Sequence, residues 1–270
     1  MLKGMAATVM LAGACLAAEE PFTLALQAYT FKDRTMVETI EVAKRLGFKA
    51  IELTPVQRLG GAFEGTLRRD GMTPETAAAV RDYLSACGIK AVSYGVVNEK
   101  DEDGWRKQFA FVRALGIGML LTEPPPEQVP LIDRLAQEHR IRVHLHNHAK
   151  SNPWWDPAFM ASQVAACSEW VGAGADTGHW VPAGIDPAEG IRALAASRVF
   201  ALHLVDTDRN GTPVPYGTGV GKLEQVIAVL KAKGAPVVLT CEYEQWDDQT
   251  ERNVRACVEW FNAHTEKAPQ

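Results

Sequence analysis

Apolar and polar residues alternate along this chain in two rhythms that take turns. Short apolar runs of strand character occur at Leu24 to Tyr29, Ala50 to Leu53, Ala91 to Val97, Met119 to Thr122, Arg142 to Asn147, Val171 to Asp176, Val199 to Val205 and Val237 to Glu242. Most of these runs end in polar or charged residues. Between them apolar positions recur three and four residues apart, as in Val37, Ile40, Ala43 and Leu46 or Leu223, Val226, Ile227 and Leu230, which predicts helices with one buried face. A capping side chain precedes a proline in Thr73-Pro74-Glu75, Asp156-Pro157 and Asp186-Pro187, marking helix starts. Gly47, Gly88, Gly116 and Gly234 stand where helices should stop. Strict alternation of strand and helix dictates an α/β fold with a parallel sheet, and eight units in about 250 residues favour closing it into a (β/α)8 TIM barrel.

The first residues stand apart. Lys3 precedes an apolar stretch from Met5 to Leu16, and small residues follow at Ala17 and Ala18. Residues 1–18 therefore read as a secretory signal peptide, leaving residues 19–270 as one barrel domain of an exported, periplasmic protein. The apolar run is too short to span a bilayer, so no stable membrane insertion is expected. Cys15 has Ala12 three positions before it where a lipoprotein signal would have Leu, which argues against lipidation. Cys87, Cys167, Cys241 and Cys257 show no CxxC spacing and read as buried free thiols.

Composition adds exclusions. Of 270 residues, 47% are hydrophobic and 23% charged, enough for a sizeable core. The net charge of −5 is spread without a long run, which argues against a nucleic-acid partner. The first strand is followed by no GxGxxG, and no GxxxxGK[ST] occurs, so Rossmann or P-loop nucleotide binding is not expected. Gly60-Gly61 and the stretch Gly217 to Gly221 read as mobile loops over a barrel mouth in preference to phosphate cradles.

Candidate chemistry lies at the strand ends: Glu52, Glu123, His146-Asn147-His148, Asp176-Thr177-Gly178-His179, His203 with Asp206, and Glu242 with Glu244. In a barrel of this kind these ends form the active face. His146, Asp176, His203 and Glu242 follow one another at intervals of one βα unit, so four consecutive strands each offer one ligand at similar height. Two imidazoles and two carboxylates suit one divalent ion, Mn²⁺, Co²⁺, Zn²⁺ or Mg²⁺, with positions left for substrate oxygens. Strand periodicity puts His144, His146 and His148 on one face, with His144 deeper as a hydrogen-bonded core residue and His148 at the rim. Trp154, Trp155 and Trp180 are candidates for walling a sugar pocket, or for loop packing.

Over its mature length the chain resembles the xylose isomerase-like TIM barrels, the sugar phosphate isomerase/epimerase group. The resemblance is carried by Asp176-Thr177-Gly178-His179, His203-Leu204-Val205-Asp206, Gly217-Thr218-Gly219 and Cys241-Glu242-Tyr243-Glu244. It implies a metal held from strands five to eight, with Asp176, His203 and Glu242 at the last three ligand positions and His179 and Arg209 at substrate-contacting ones. It also implies dimers or tetramers. Epimerases of the family usually carry Glu at the fifth-strand position, where His146 stands here. The HNH form resembles sugar dehydratases and secreted relatives, and removes one of the two carboxylates that exchange protons on opposite faces of the substrate.

The expected activity is that of a metal-dependent isomerase or epimerase acting on a sugar or keto-sugar through a metal-bound enediolate. Glu242 is the candidate base, with His148 and His179 as further acid–base groups and Glu52, Glu123, Arg209 and Trp180 contacting a carbohydrate substrate. Glu52 and Glu123 are also candidates for proton transfer. Loss of a β-substituent would make the enzyme a lyase, activation of water a hydrolase, and binding without turnover a sugar-binding barrel. The export signal favours free, oxidised or glycosidically linked sugars over sugar phosphates.

Overall fold

The computed structural model describes residues 22–194 and 198–265. The expected signal peptide and Cys15 lie outside these residues. Eight parallel strands close into a barrel in which every strand pairs with its neighbours in sequence and the last returns to the first. They are β1 (Phe22–Gln27), β2 (Ala50–Leu53), β3 (Lys90–Tyr94), β4 (Met119–Thr122), β5 (Arg142–His146), β6 (Val171–Asp176), β7 (Val199–Leu204) and β8 (Val237–Cys241). Outside them lie α1 (Met36–Leu46), α2 (Pro74–Ala86), α3 (Glu102–Ala114), α4 (Val129–His139), α5 (Pro157–Ala165), the single turn α6 (Thr177–Trp180), α7 (Pro187–Ala193), α8 (Leu223–Lys233) and α9 (Thr250–Thr265). The expected TIM barrel is the fold observed.

Local chemistry sets the element ends. Thr73 accepts from the Thr76 N–H, Asp156 from Ala158, and Asp186 from Ala188 and Glu189, each in front of a proline in the first helical turn. Gly47 and Gly234 end α1 and α8 in the left-handed conformation, which costs least without a Cβ. The apolar stripe of α1 buries Ile40, Ala43 and Leu46 against the barrel. Strand β1 begins and ends two residues earlier than the sequence suggests, because the Gln27 side chain accepts from Tyr29 N at 2.8 Å and turns the chain into a 3-10 segment, Ala28–Phe31. Strand β3 ends at Tyr94, although Gly95 and Val97 still donate to Leu53 and Leu121 of the flanking strands.

Two hairpins rise from the C-terminal rim, one pairing Arg58–Gly60 with Phe63–Thr66 and one pairing Asp206–Thr207 with Pro213–Val214. The glycine stretch after the second hairpin differs from the mobile loop expected. Gly217 and Gly219 donate to Asp206 Oδ2 at 2.8 and 3.1 Å, and Gly221 donates to Oδ1 at 3.0 Å. A Cβ at Gly219 or Gly221 would collide with that carboxylate, so the glycines exist to let it in. Asp206 thereby ties the loop down and is committed to it.

Cys241 and Cys257 are buried, Cys87 and Cys167 half-buried, and all four are free thiols. Among the described residues no helix is long and apolar enough to cross a membrane.

Candidate functional site

The C-terminal ends of β5 to β8 bring their polar residues to one place. His146 closes β5, Asp176 closes β6, His203 is the penultimate residue of β7, and Glu242 follows β8 directly. All four are buried. His146 Nε2 lies 3.3 Å from His203 Nδ1 and 3.6 Å from Asp176 Oδ2, and the third side of that triangle, His203 Nδ1 to Asp176 Oδ2, is 3.8 Å. Glu242 Oε2 sits 2.8 Å from His203 Nδ1.

Each member of this group is held by its own partners. His146 Nδ1 hydrogen-bonds Glu123 Oε1 at 2.8 Å, and the other oxygen of Glu123 accepts from Asn152 Nδ2 at 2.5 Å. His203 Nε2 hydrogen-bonds Glu52 Oε1 at 2.8 Å, and Glu52 in turn accepts from Gln27 Nε2 and from the Ser93 hydroxyl. Asp176 divides its carboxylate: Oδ1 accepts the N–H groups of Gly178 and His179 that open α6, and Oδ2 faces the two imidazoles. Asn147 brackets the Asp176 backbone, donating to its carbonyl at 3.0 Å and accepting from its N–H at 2.6 Å. Thr177 Oγ1 donates to Val205 O and accepts from Val205 N, pinning the end of β6 to that of β7.

These contacts amount to a test of the site for a cation. A carboxylate only accepts hydrogen bonds, so the nitrogens bound to Glu123 and Glu52 carry the N–H groups. The inner nitrogens, Nε2 of His146 and Nδ1 of His203, face each other and the carboxylate oxygens of Asp176 and Glu242, so protons or a cation must lie between them. Such an arrangement calls for positive charge in its midst. The point equidistant from His146 Nε2, His203 Nδ1 and Asp176 Oδ2 lies about 2.1 Å from each, the length of a bond from imidazole or carboxylate to a divalent ion. Imidazoles backed by carboxylates are also the usual outer surroundings of such an ion. The donor set fits: His146, Asp176 and His203 form a candidate ligand group, with Glu242 beside it.

The electrostatics agree. Burial opposes charge on His146, but hydrogen bonds to Asp176 and Glu123 outweigh it and raise its pKa to about 9. His203 is also desolvated, yet Glu52 and Glu242 hold it well above the usual imidazole range. Burial works against the charge of Asp176, and the surrounding histidines, His179 first, hold it well below the usual carboxylate range. Without an ion, the surrounding carboxylates favour protons on these two imidazoles, and a bound cation would take their place.

Above the group opens a cavity of about 300 Å³, floored by His146, His203 and Glu242 and walled by Glu123, His148 and His179. Tyr29, Pro55, Val56 and Val96 supply its apolar side. The rings of His148 and His179 lie 4.0 Å apart, and burial together with the charge of His179 lowers the pKa of His148.

Four expected substrate contacts lie outside the cavity, and one core residue lacks the partners expected of it. Glu52 is fully buried beneath His203, with its oxygens engaged by neighbours, and positions that imidazole without lining the cavity. Trp180 is fully buried against Gly190, its indole N–H donating to Trp155 O, so it packs the loop and does not line the cavity. Trp154 is likewise buried, donating to Pro124 O. Arg209 is exposed at the turn of the Asp206–Val214 hairpin, outside the residues that line the cavity. His144 is buried as expected, but neither of its nitrogens has a hydrogen-bond partner among the described residues; burial lowers its pKa to about 3. Gly174 of β6 leaves room for its ring.

Glu244, paired with Glu242 among the strand-end candidates but given no role of its own, joins the site. It lines the cavity, and burial with the neighbouring charges of Glu242 and Asp176 pushes its pKa up to about 7. The available signal was its spacing of two from Glu242, which in an extended chain puts both side chains on one side.

An uncharacterised protein from Parabacteroides distasonis ATCC 8503 has a similar structure, with 26% identity, a TM-score of 0.74, and coverage of 90% of this chain and 99% of that one. D-psicose 3-epimerase from Clostridium cellulolyticum H10, solved with D-tagatose, superposes with a TM-score of 0.72 at 13% identity, covering 91% of this chain and 100% of that one. The probable 3-DHS dehydratase AsbF from Bacillus anthracis does so with a TM-score of 0.69 at 12% identity, covering 89% and 98%. At these lower identities the likeness is one of fold. No curated protein matches the chain. Residues 40–264 match the family described as xylose isomerase-like TIM barrel, and the chain belongs to that family.

Proposed function

We propose that this protein is a metal-dependent isomerase or epimerase of a sugar or keto-sugar, moving a proton at the carbon beside a carbonyl through an enediolate. The observation that carries the reading is the convergence of His146, Asp176, His203 and Glu242 on the floor of a cavity, with the outer nitrogens of both imidazoles occupied by carboxylates. Similar folds among sugar epimerases support the class. A divalent ion held by His146, Asp176, His203 and Glu242 would act as a Lewis acid on the substrate carbonyl.

The chain's own groups do the rest. Glu242 lies at the boundary between the ligand group and the cavity, where its carboxylate can take a proton from carbon. His148 and His179 stand side by side in the cavity wall, and the depressed pKa of His148 leaves it able to accept a proton at neutral pH. Together they fill the acid–base role that a second glutamate has in the epimerases. Glu123 and Glu52 hold the imidazoles in place, and the apolar side formed by Tyr29, Pro55 and Val56 receives the carbon face of the substrate.

The test is incubation of Mn²⁺- or Co²⁺-loaded protein with a panel of ketoses in D₂O, followed by NMR. Deuterium at the carbon next to the carbonyl is the expected result. Incorporation of ¹⁸O from labelled water into a cleaved product, without deuterium at carbon, would instead identify a hydrolase, and elimination of a substituent would identify a lyase.

A further inference from the structure

Beside the central cavity lies a second hollow of about 220 Å³ that nothing above uses. It is bounded by the loops after β2 and β3 and by the side of α3, and it shares Pro55, Val56 and Val96 with the central cavity. These three residues form a low saddle between the two. Val56 on the saddle is 55% exposed, an apolar surface with nothing over it.

The far wall of the hollow has the marks of a built binding surface. Gln108, on α3, lines it and is only 3% exposed, yet its Nε2 has no hydrogen-bond partner among the described residues. A buried amide donor left in that state costs stability unless something accepts from it. Arg69 is fixed by Glu99 at 2.7 Å, by Asp70 at 3.0 Å and by the Gly104 carbonyl at 2.9 Å, so its charge is neutralised and it serves as rigid wall. Arg68, next to it, is exposed and forms no ion pair among the described residues. A buried amide with an unpartnered N–H and an unpaired exposed guanidinium thus border a hollow reached from the reaction centre over an apolar ridge.

We infer that this hollow is a second sugar subsite, which takes a further glycosyl unit joined to the ring held over the metal-ligand group. The substrate class is then a two-ring or longer keto-sugar, with hydroxyls of the second ring accepting from Gln108 and Arg68 and its apolar face resting on Val56. The charges lining the hollow sum to zero, which suits a neutral glycosyl unit better than a phosphate. This inference rests on the proposed sugar chemistry at the central cavity, but its contacts lie apart from the ligand group.

The experiment is calorimetric titration of the full chain, with Mn²⁺ present and again after chelation, using D-fructose and the keto-disaccharides lactulose, maltulose and palatinose. At least one disaccharide is expected to bind about tenfold or more tightly than fructose, roughly the worth of one or two hydrogen bonds. That gain should fall away in Arg68→Ala and in Gln108→Leu, and should survive chelation. Because Arg68 is exposed, its variant tests the subsite even if Gln108→Leu folds poorly. Absence of a gain, or a gain that both variants retain, overturns the subsite and leaves the central reading standing. A gain without any metal effect on fructose keeps the subsite and counts against the central reading, and a panel in which nothing binds rejects both.

Discussion

Glu242→Gln is expected to lower turnover by about 10³-fold, the usual range for loss of a general base, while the fold and most of the bound metal are retained. The substitution changes little in shape. An amide oxygen can still lie beside His203 Nδ1, where Glu242 Oε2 now sits at 2.8 Å, but the amide accepts no proton at neutral pH. If instead Glu242 served only to hold the ion, the variant would lose metal in step with activity, and excess Mn²⁺ would restore both. Steady-state kinetics at saturating metal, alongside a metal titration, separates the two roles. Full activity in the variant would remove Glu242 from proton transfer.

Glu52→Ala should damage stability and metal affinity together, although Glu52 touches neither substrate nor the candidate ion. The carboxylate is fully buried and binds His203 Nε2 at 2.8 Å, so its removal leaves a buried imidazole without the partner that fixes its orientation. Breaking one side of such a pair costs about 3–5 kcal/mol, and loss of a carboxylate behind a ligating histidine weakens metal binding about 10–100-fold. In metal-free protein the pair also sets a pH window. Glu52 is desolvated, but the attraction of His203 lowers its pKa, so its contribution is full above the ordinary value of 4.5 and fades as pH falls through the lowered one. His203 has a raised pKa, so its contribution is full below the ordinary value of 6.5 and fades as pH rises through the raised one. Thermal melts of wild type and Glu52→Ala in chelator should therefore differ most between those two values. Equal melting temperatures across the range would contradict the role given to Glu52.

The architecture could be read from the sequence because its signal is periodic and repeated. β2, β4 and β6 run where the apolar runs place them, and the proline-led helix starts carry the caps that Thr73, Asp156 and Asp186 predict. The convergence of His146, Asp176 and His203 follows from the same regularity, since parallel strands of one barrel end at one rim. What the sequence does not carry is height within the barrel and rotation of a loop helix. Glu52 pairs across the sheet with Gln27 and Ser93, a level that puts it under His203 and out of the cavity, and that level depends on the stagger of all eight strands. Trp180 ends the single turn α6, and whether its ring meets substrate or packs on Gly190 is set by how that turn seats on its neighbours. The glycine stretch was ambiguous for another reason. Backbone N–H groups cradle a phosphate or a carboxylate equally well, and Asp206, eleven residues before Gly217, supplies the carboxylate from within the chain.

Metal content measured by mass spectrometry after chelator-free purification bears most directly on the account, because every chemical role assigned above depends on a cation at this group. About one equivalent of a divalent ion per chain is expected, falling below a tenth in the double variant Asp176→Ala, His203→Ala. A wild-type protein that holds less than a tenth of an equivalent, and takes up none when Mn²⁺ or Co²⁺ is added, would contradict it.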